Sequence, residues 1–271
     1  MVKNFLISAP SLAAAACKVL ETADPSAKVA AGAALVAAWR RGDIAQVGTP
    51  SPHHPSRPAR PARPELRRPG DMPRRRTSGL RGRIALLHAI AHIELNAVDL
   101  AWDIIARFAA PELPRAFYDD WVGVAGDEGR HFTYLTARLG ELGAAYGDLP
   151  AHDGLWQAAA DTAKDLTARL AIVPMVLEAR GLDVTPAMVG KLQSAGDAPS
   201  AAILQIILKE EIGHVSVGRH WFEWSCNQLQ RDPVRHWQDL VRQHFKGGLK
   251  PPFNHAARQQ AGLTVRYYQP D

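Results

Sequence analysis

The chain has 271 residues, of which 46% are hydrophobic and 22% charged, and carries a formal net charge of +5. That length suits one large domain with an appendage, the composition is globular, and no uninterrupted run approaches the roughly 20 apolar residues of a membrane span. Two cysteines, Cys17 and Cys226, exclude a disulfide framework and favour a reducing compartment, so a cytoplasmic location and no membrane partner are expected. The basicity is local: residues 57–83 hold ten Arg against Glu65 and Asp71, a net +8 that leaves about −3 elsewhere.

At the N-terminus, Lys3, the apolar stretch from Phe5 to Ala16 and Cys17 loosely mimic a lipoprotein signal. Pro10 interrupts that stretch, and Ser11 is a plausible N-cap, so a helix over about 11–22 is the better reading. A second helix is expected over 25–41, ending near Gly42, and the two form an N-terminal segment of residues 1–47. Residues 48–78 change character. Eight prolines between Pro50 and Pro73 are threaded with Arg57, Arg60, Arg63, Arg67, Arg68, Arg74, Arg75 and Arg76, which excludes helix and favours an extended arm. Such an arm either straps onto nucleic acid or lies across the protein with its arginines paired to acidic helix faces. It lacks the interleaved aromatics that stack bases.

After Ser78, an N-cap candidate, long helices begin. Ile84, Leu87, Ala91, Glu94, Val98, Ala101, Ile105 and Phe108 step by threes and fours as one bundle seam. A second seam runs Phe117, Trp121, Val124, Glu128, His131, Leu135. A third helix, about 155–180, carries Leu166, Leu170, Val173 and Leu177, with a kink expected at Pro174. A fourth opens at Pro199 and Ser200 and reads Leu204, Ile207, Glu211, His214, Gly218, Trp221. Nothing alternates with period two, so the expected fold is all-α, with four antiparallel bundle helices over 79–228. A further helix around 233–245 and an irregular tail complete a C-terminal segment, 229–271.

Three of the four seams hold an acid or an imidazole where a bundle buries Leu. A lone carboxylate there costs several kcal/mol in desolvation, so it must be paired, protonated or bound to a cation. Glu128-Gly-Arg-His131 and Glu211-Ile-Gly-His214 are both Glu-x-x-His, and residues three apart project from one helix face. Ten glutamates and eleven histidines placed at random would give about 0.4 such pairs, and two occur, both on seams. Glu94 and Glu178 are the inward glutamates of the other two helices, 34 and 33 residues ahead of Glu128 and Glu211. The expectation is that Glu94, Glu128, His131, Glu178, Glu211 and His214 form one buried metal site. Four carboxylates balance two divalent ions, and mixed carboxylate and imidazole donors suit iron or manganese, or zinc.

These features resemble the ferritin-like di-iron carboxylate proteins, whose four-helix bundles take a Glu from each of two helices and a Glu-x-x-His from each of the other two. The stretches LLHAIAHIELNAVDLAWD, DEGRHF, EARGLDVTP and KEEIGHV, the RPARPELRRP arm and the Lys250-Pro-Pro-Phe-Asn254 tail resemble, more closely, the bacterial family DUF455. The resemblance implies a ferritin-like four-helix bundle, two iron ions with manganese and zinc as alternatives, and a non-haem di-iron oxidase or oxygenase. In related oxygenases an acid preceding the ligand Glu accepts the free N–H of a ligand histidine, a role that falls here on Asp127 and Glu210; both also read as half-exposed helix charges. Tyr134 reads as a redox tyrosine or a core tyrosine, His88 and His92 as core or surface histidines rather than ligands, and Arg180 as a site-acid partner or a plain salt bridge. Oxidation of a small organic substrate with an external electron donor is the leading function. Iron storage or ferroxidase activity is the second, and hydroxylation of tRNA, through the arm, the third.

Overall fold

The computed structural model describes residues 9–50, 54–68, 71–72 and 79–269. Ser78, the arginines at 74–76 and the apolar residues at 5–7 lie outside the described residues. The protein is mostly helical and divides into two compact units, residues 1–156 and 157–271.

In the first unit, Ser11 caps α1 (Leu12–Leu20) by accepting from the Ala14 N–H. Asp24 caps α2 (Pro25–Arg41), which has Pro at its first position and ends at Gly42 in the left-handed region, φ 80°. The arm carries β1 (Leu66–Arg67), which pairs in parallel with β2 (Ala151–His152), the one strand pairing among the described residues. Two long helices, α3 (Gly79–Arg107) and α4 (Arg115–Glu141), form the centre of the unit. They run antiparallel, since Glu94 faces His131 while Trp102 and Ala125 share a cavity wall eight residues further along α3. α1 packs on α3, and α2 on α4.

By length and composition α3 would serve as a membrane span, an exception to the expectation from the sequence, but 72% of its most apolar stretch is buried inside the protein. It also carries a buried polar stripe, His88, His92, Asn96, Asp99 and Asp103, at helical spacing. Lys28 Nζ donates to Asp99 (2.5 Å) and to the Ala59 carbonyl, and Arg60 donates to Asn96 (2.6 Å). Asp103 pairs with Arg107 and His54. His92 Nε2 donates to the His152 carbonyl, which leaves Nδ1 to accept from the Tyr146 hydroxyl. The described part of the arm therefore packs on α3, with Arg57 also bound to Asp153.

The division between the units falls within a short helix, α5 (Gly154–Asp161). In the second unit, α6 (Leu166–Ile172) runs through a π turn (Val173–Glu178) into α7 (Ala179–Ser194). The third predicted helix is thus interrupted at residues 162–165, where Asp165 caps α6, and continues well past residue 180. Pro174 sits in a widened turn rather than a sharp kink: it has no N–H to donate, and the π turn absorbs the missing bond. α8 (Ala198–Gln228), capped by Asp197, returns antiparallel to α7 after a three-residue connection. Then come α9 (Pro233–His244), α10 (His255–Gln260) and α11 (Val265–Tyr268). Cys17 and Cys226 are free and buried, and burial pushes their thiols up to about 11 and about 12.

Candidate metal centre

Glu94 on α3 and Glu128 and His131 on α4 are buried together within the first unit. His131 Nδ1 lies 3.1 Å from Glu94 Oε2 and 3.3 Å from Glu128 Oε2, and one ligand atom from each residue falls within 4.8 Å of the others. Helical spacing explains the convergence within α4: positions 128 and 131 are three apart and share a face with the buried Trp121, Val124 and Leu135. On α3, Glu94 shares its face with Ala91, Val98 and Ala101, all buried.

Two carboxylates and one imidazole in an apolar wall are anionic even when the imidazole is charged. Burial opposes that charge, but hydrogen bonds and attraction from Glu128 and Glu94 outweigh it and push the His131 pKa up to about 11. The nitrogen facing the carboxylates is Nδ1. In the neutral ring protonated at Nε2, its lone pair points where theirs do. The set could therefore hold a metal ion through oxygen and nitrogen donors, with no sulfur among them.

The second unit carries a second buried Glu-x-x-His pair. Glu211 and His214 on α8 are buried, with His214 Nδ1 3.5 Å from Glu211 Oε1, so each motif turns the same ring nitrogen toward its own glutamate. Glu178 is half-buried at the end of the π turn. That turn rests against α8 at Gly218, one helical turn beyond His214. A Cβ at Gly218 would come within 2.3 Å of Pro174, so the widened turn needs a residue without a side chain there.

The other candidates separate clearly. Asp127 is half-buried and pairs with Arg130 at 2.5 Å. Glu210 is half-buried on α8 beside Glu211. Tyr134 is 39% exposed on α4, lining a surface cavity rather than buried in the core. Arg180 donates to the carbonyls of Lys250 and Pro252 and lies 3.6 Å from Asp183. Trp102, Trp121 and Trp221 are core residues.

Two groups escaped the sequence reading. The polar stripe of α3 was visible only as the interval 88, 92, 96, in residues that singly look like surface positions. The second is Asp183 with Arg258, whose guanidinium holds the carboxylate by two bonds, Nε to Oδ1 (2.8 Å) and Nη2 to Oδ2 (2.7 Å). Its traces in the sequence were the EARGLDVTP stretch, which contains Asp183, and the KPPFN stretch, which ends four residues before Arg258.

Helical units with a buried Glu/His cluster able to hold a metal ion define the class of protein. The chain belongs to the family described as "Protein of unknown function (DUF455)", whose profile matches residues 21–269. It is 43% identical over 201 residues to a Haemophilus influenzae protein named only as uncharacterized, an alignment covering 72% of this chain and 70% of that one. No solved structure matches.

Proposed function

We propose that the chain is a ferritin-like di-metal carboxylate protein, iron in preference to manganese or zinc, that uses dioxygen to oxidise a small organic substrate. The observation that carries this reading is the burial of Glu94, Glu128 and His131 within bonding reach of one ion. In the proposal, the helix pairs α3/α4 and α7/α8 complete one bundle, and Glu178, Glu211 and His214 supply the ligands of the second ion. The near-equal spacing of Glu and Glu-x-x-His in the two halves, 34 and 33 residues, and the matching Nδ1 orientation support this.

Bound in this site, a pair of redox-active ions would supply the electrons that dioxygen takes up. The chain's own groups do the rest. Four carboxylates balance the charge of two divalent ions. His131 gives up the proton that its glutamates hold on the ring, so metal uptake releases protons to solvent. Val124 and Leu135 in one unit, and Leu204 and Ile207 in the other, are buried within a turn or two of the motifs and keep water from the reacting centre.

The test is to load the purified protein anaerobically with ferrous iron, measure metal per chain, and admit oxygen in a stopped-flow cell. About two ions per chain and an oxygen-dependent optical change within minutes are expected. Zinc retained in preference to iron, with no such change, would leave a structural metal site instead. Uptake of iron far beyond two ions per chain would favour storage.

A further inference from the structure

A hollow of about 200 Å³ opens on the surface of the first unit, between α2 and α4. Ala33 of α2 and Gly126 and Tyr134 of α4 line its sides, and the buried Val98 and Trp102 of α3 lie beneath. The walls are fixed where the two helices meet: a Cβ on Gly126 would lie 3.4 Å from Val36, and one on Gly129 3.4 Å from Val29. A single exposed aromatic residue is ordinary on a protein surface, but Tyr134 borders an apolar hollow of its own ring's size. Gly123, Asp127, Arg130, Tyr134, Ala137 and Glu141 follow one another along α4 at intervals of four and three, and none of them is buried. Arg130 and Tyr134 belong to this stripe and to the hollow alike.

We propose that this face pairs with the same face of a second copy of the chain in a two-fold dimer, the Tyr134 ring of each copy seated in the hollow of the other. A knob and a hole on one patch satisfy each other twice under a two-fold axis and close the assembly at two copies. A cavity near 150 Å³ takes a benzene-sized molecule, so about 200 Å³ has room for one phenol ring. Charge fits the same register. In an antiparallel crossing of the two α4 helices that sets Tyr134 opposite Arg130, the guanidinium meets an aromatic ring. Asp127 then falls opposite Ala137 and beside Arg138, and Glu141 opposite Gly123, so no two like charges face each other. The Asp127–Arg130 and Arg138–Glu141 pairs within one copy lie at the surface and cost little to rearrange. Glu128 and His131 are buried on another face of α4, so the dimer does not depend on the metal reading.

The test is sedimentation velocity of the full-length protein over about 1–100 µM. A monomer–dimer equilibrium or a stable dimer is expected. Tyr134→Ser should weaken it at least about tenfold, as truncating a central aromatic anchor does, whereas Tyr134→Phe should keep it. Ala33→Phe fills the hollow from its own exposed wall and should also weaken the dimer at least about tenfold. Both positions are exposed, so the variants should fold, and circular dichroism of each checks this. A monomer at every concentration, a dimer that neither Tyr134→Ser nor Ala33→Phe weakens, equal weakening by Tyr134→Phe and Tyr134→Ser, or growth into ever larger oligomers would each overturn the assignment.

Discussion

Gly218 and Pro174 meet so closely that a Cβ added to the glycine would lie 2.3 Å from both Cβ and Cγ of the proline. Neither side can yield easily: Pro174 is fixed within the π turn, and α8 is packed along its length. Gly218→Ala is therefore expected to destabilise the protein by about 1–3 kcal/mol through overpacking. Because Glu178 ends that turn, the variant should also retain less metal than the wild type. Chemical denaturation and metal analysis of the folded fraction check both parts. An unchanged denaturation midpoint would contradict the contact.

Acid should weaken the fold through His92. Burial is the main cause that lowers its pKa, to about 3, and Arg60 adds to it. The unfolded chain takes up this proton near pH 6.5 and the folded chain does not, so the stability is complete above about 6.5 and falls as pH drops toward 3. By pH 5 the loss attributable to this one residue is about 2 kcal/mol. Urea unfolding at pH 7.5 and pH 5 should show it, and His92→Gln should shrink the difference between the two.

The Lys28–Asp99 pair, joined at 2.5 Å and almost wholly buried, should be costly to break and cheap to remove. Lys28→Met leaves a buried carboxylate with Arg60 at 3.8 Å as its nearest remaining cation, and a loss of about 3–5 kcal/mol is expected. Lys28→Met with Asp99→Leu should recover most of that loss, since Arg60 keeps Asn96 and Asp153. Additive losses in the double variant would refute the coupling.

At the proposed metal centre, His131→Ala or His214→Ala should abolish oxygen uptake by the iron-loaded protein. Asp127→Asn and Glu210→Gln should reduce it by about 10- to 100-fold at most, the scale for groups that act through a ligand rather than as one. Stopped-flow traces of the four variants, corrected for iron content, test this order; equal effects from the four would overturn it.

The helical seams were legible because period and burial coincide: Glu94, Glu128, His131, Glu211 and His214 stood out as charges in apolar company, and all five are buried. The helix ends at Ser11 and Gly42 followed from cap chemistry. The π turn was not legible, because Pro174 announces a disturbed helix without saying whether the chain bends or widens. Only the contact with Gly218, 44 residues away, decides it. The polar stripe of α3 failed for a related reason. An aspartate such as Asp99 reads as surface until the lysine that neutralises it, 71 positions upstream, is known to be beside it.

That separation along the chain has a bearing on biosynthesis. Lys28, His54 and Arg60, the partners of Asp99, Asp103 and Asn96, all precede α3 in the order of translation. A helix apolar enough to be mistaken for a membrane segment thus leaves the ribosome after the groups that compensate its buried acids and amide have already emerged. Nascent α3 can dock on residues already made, without waiting for the second half of the chain to be synthesised.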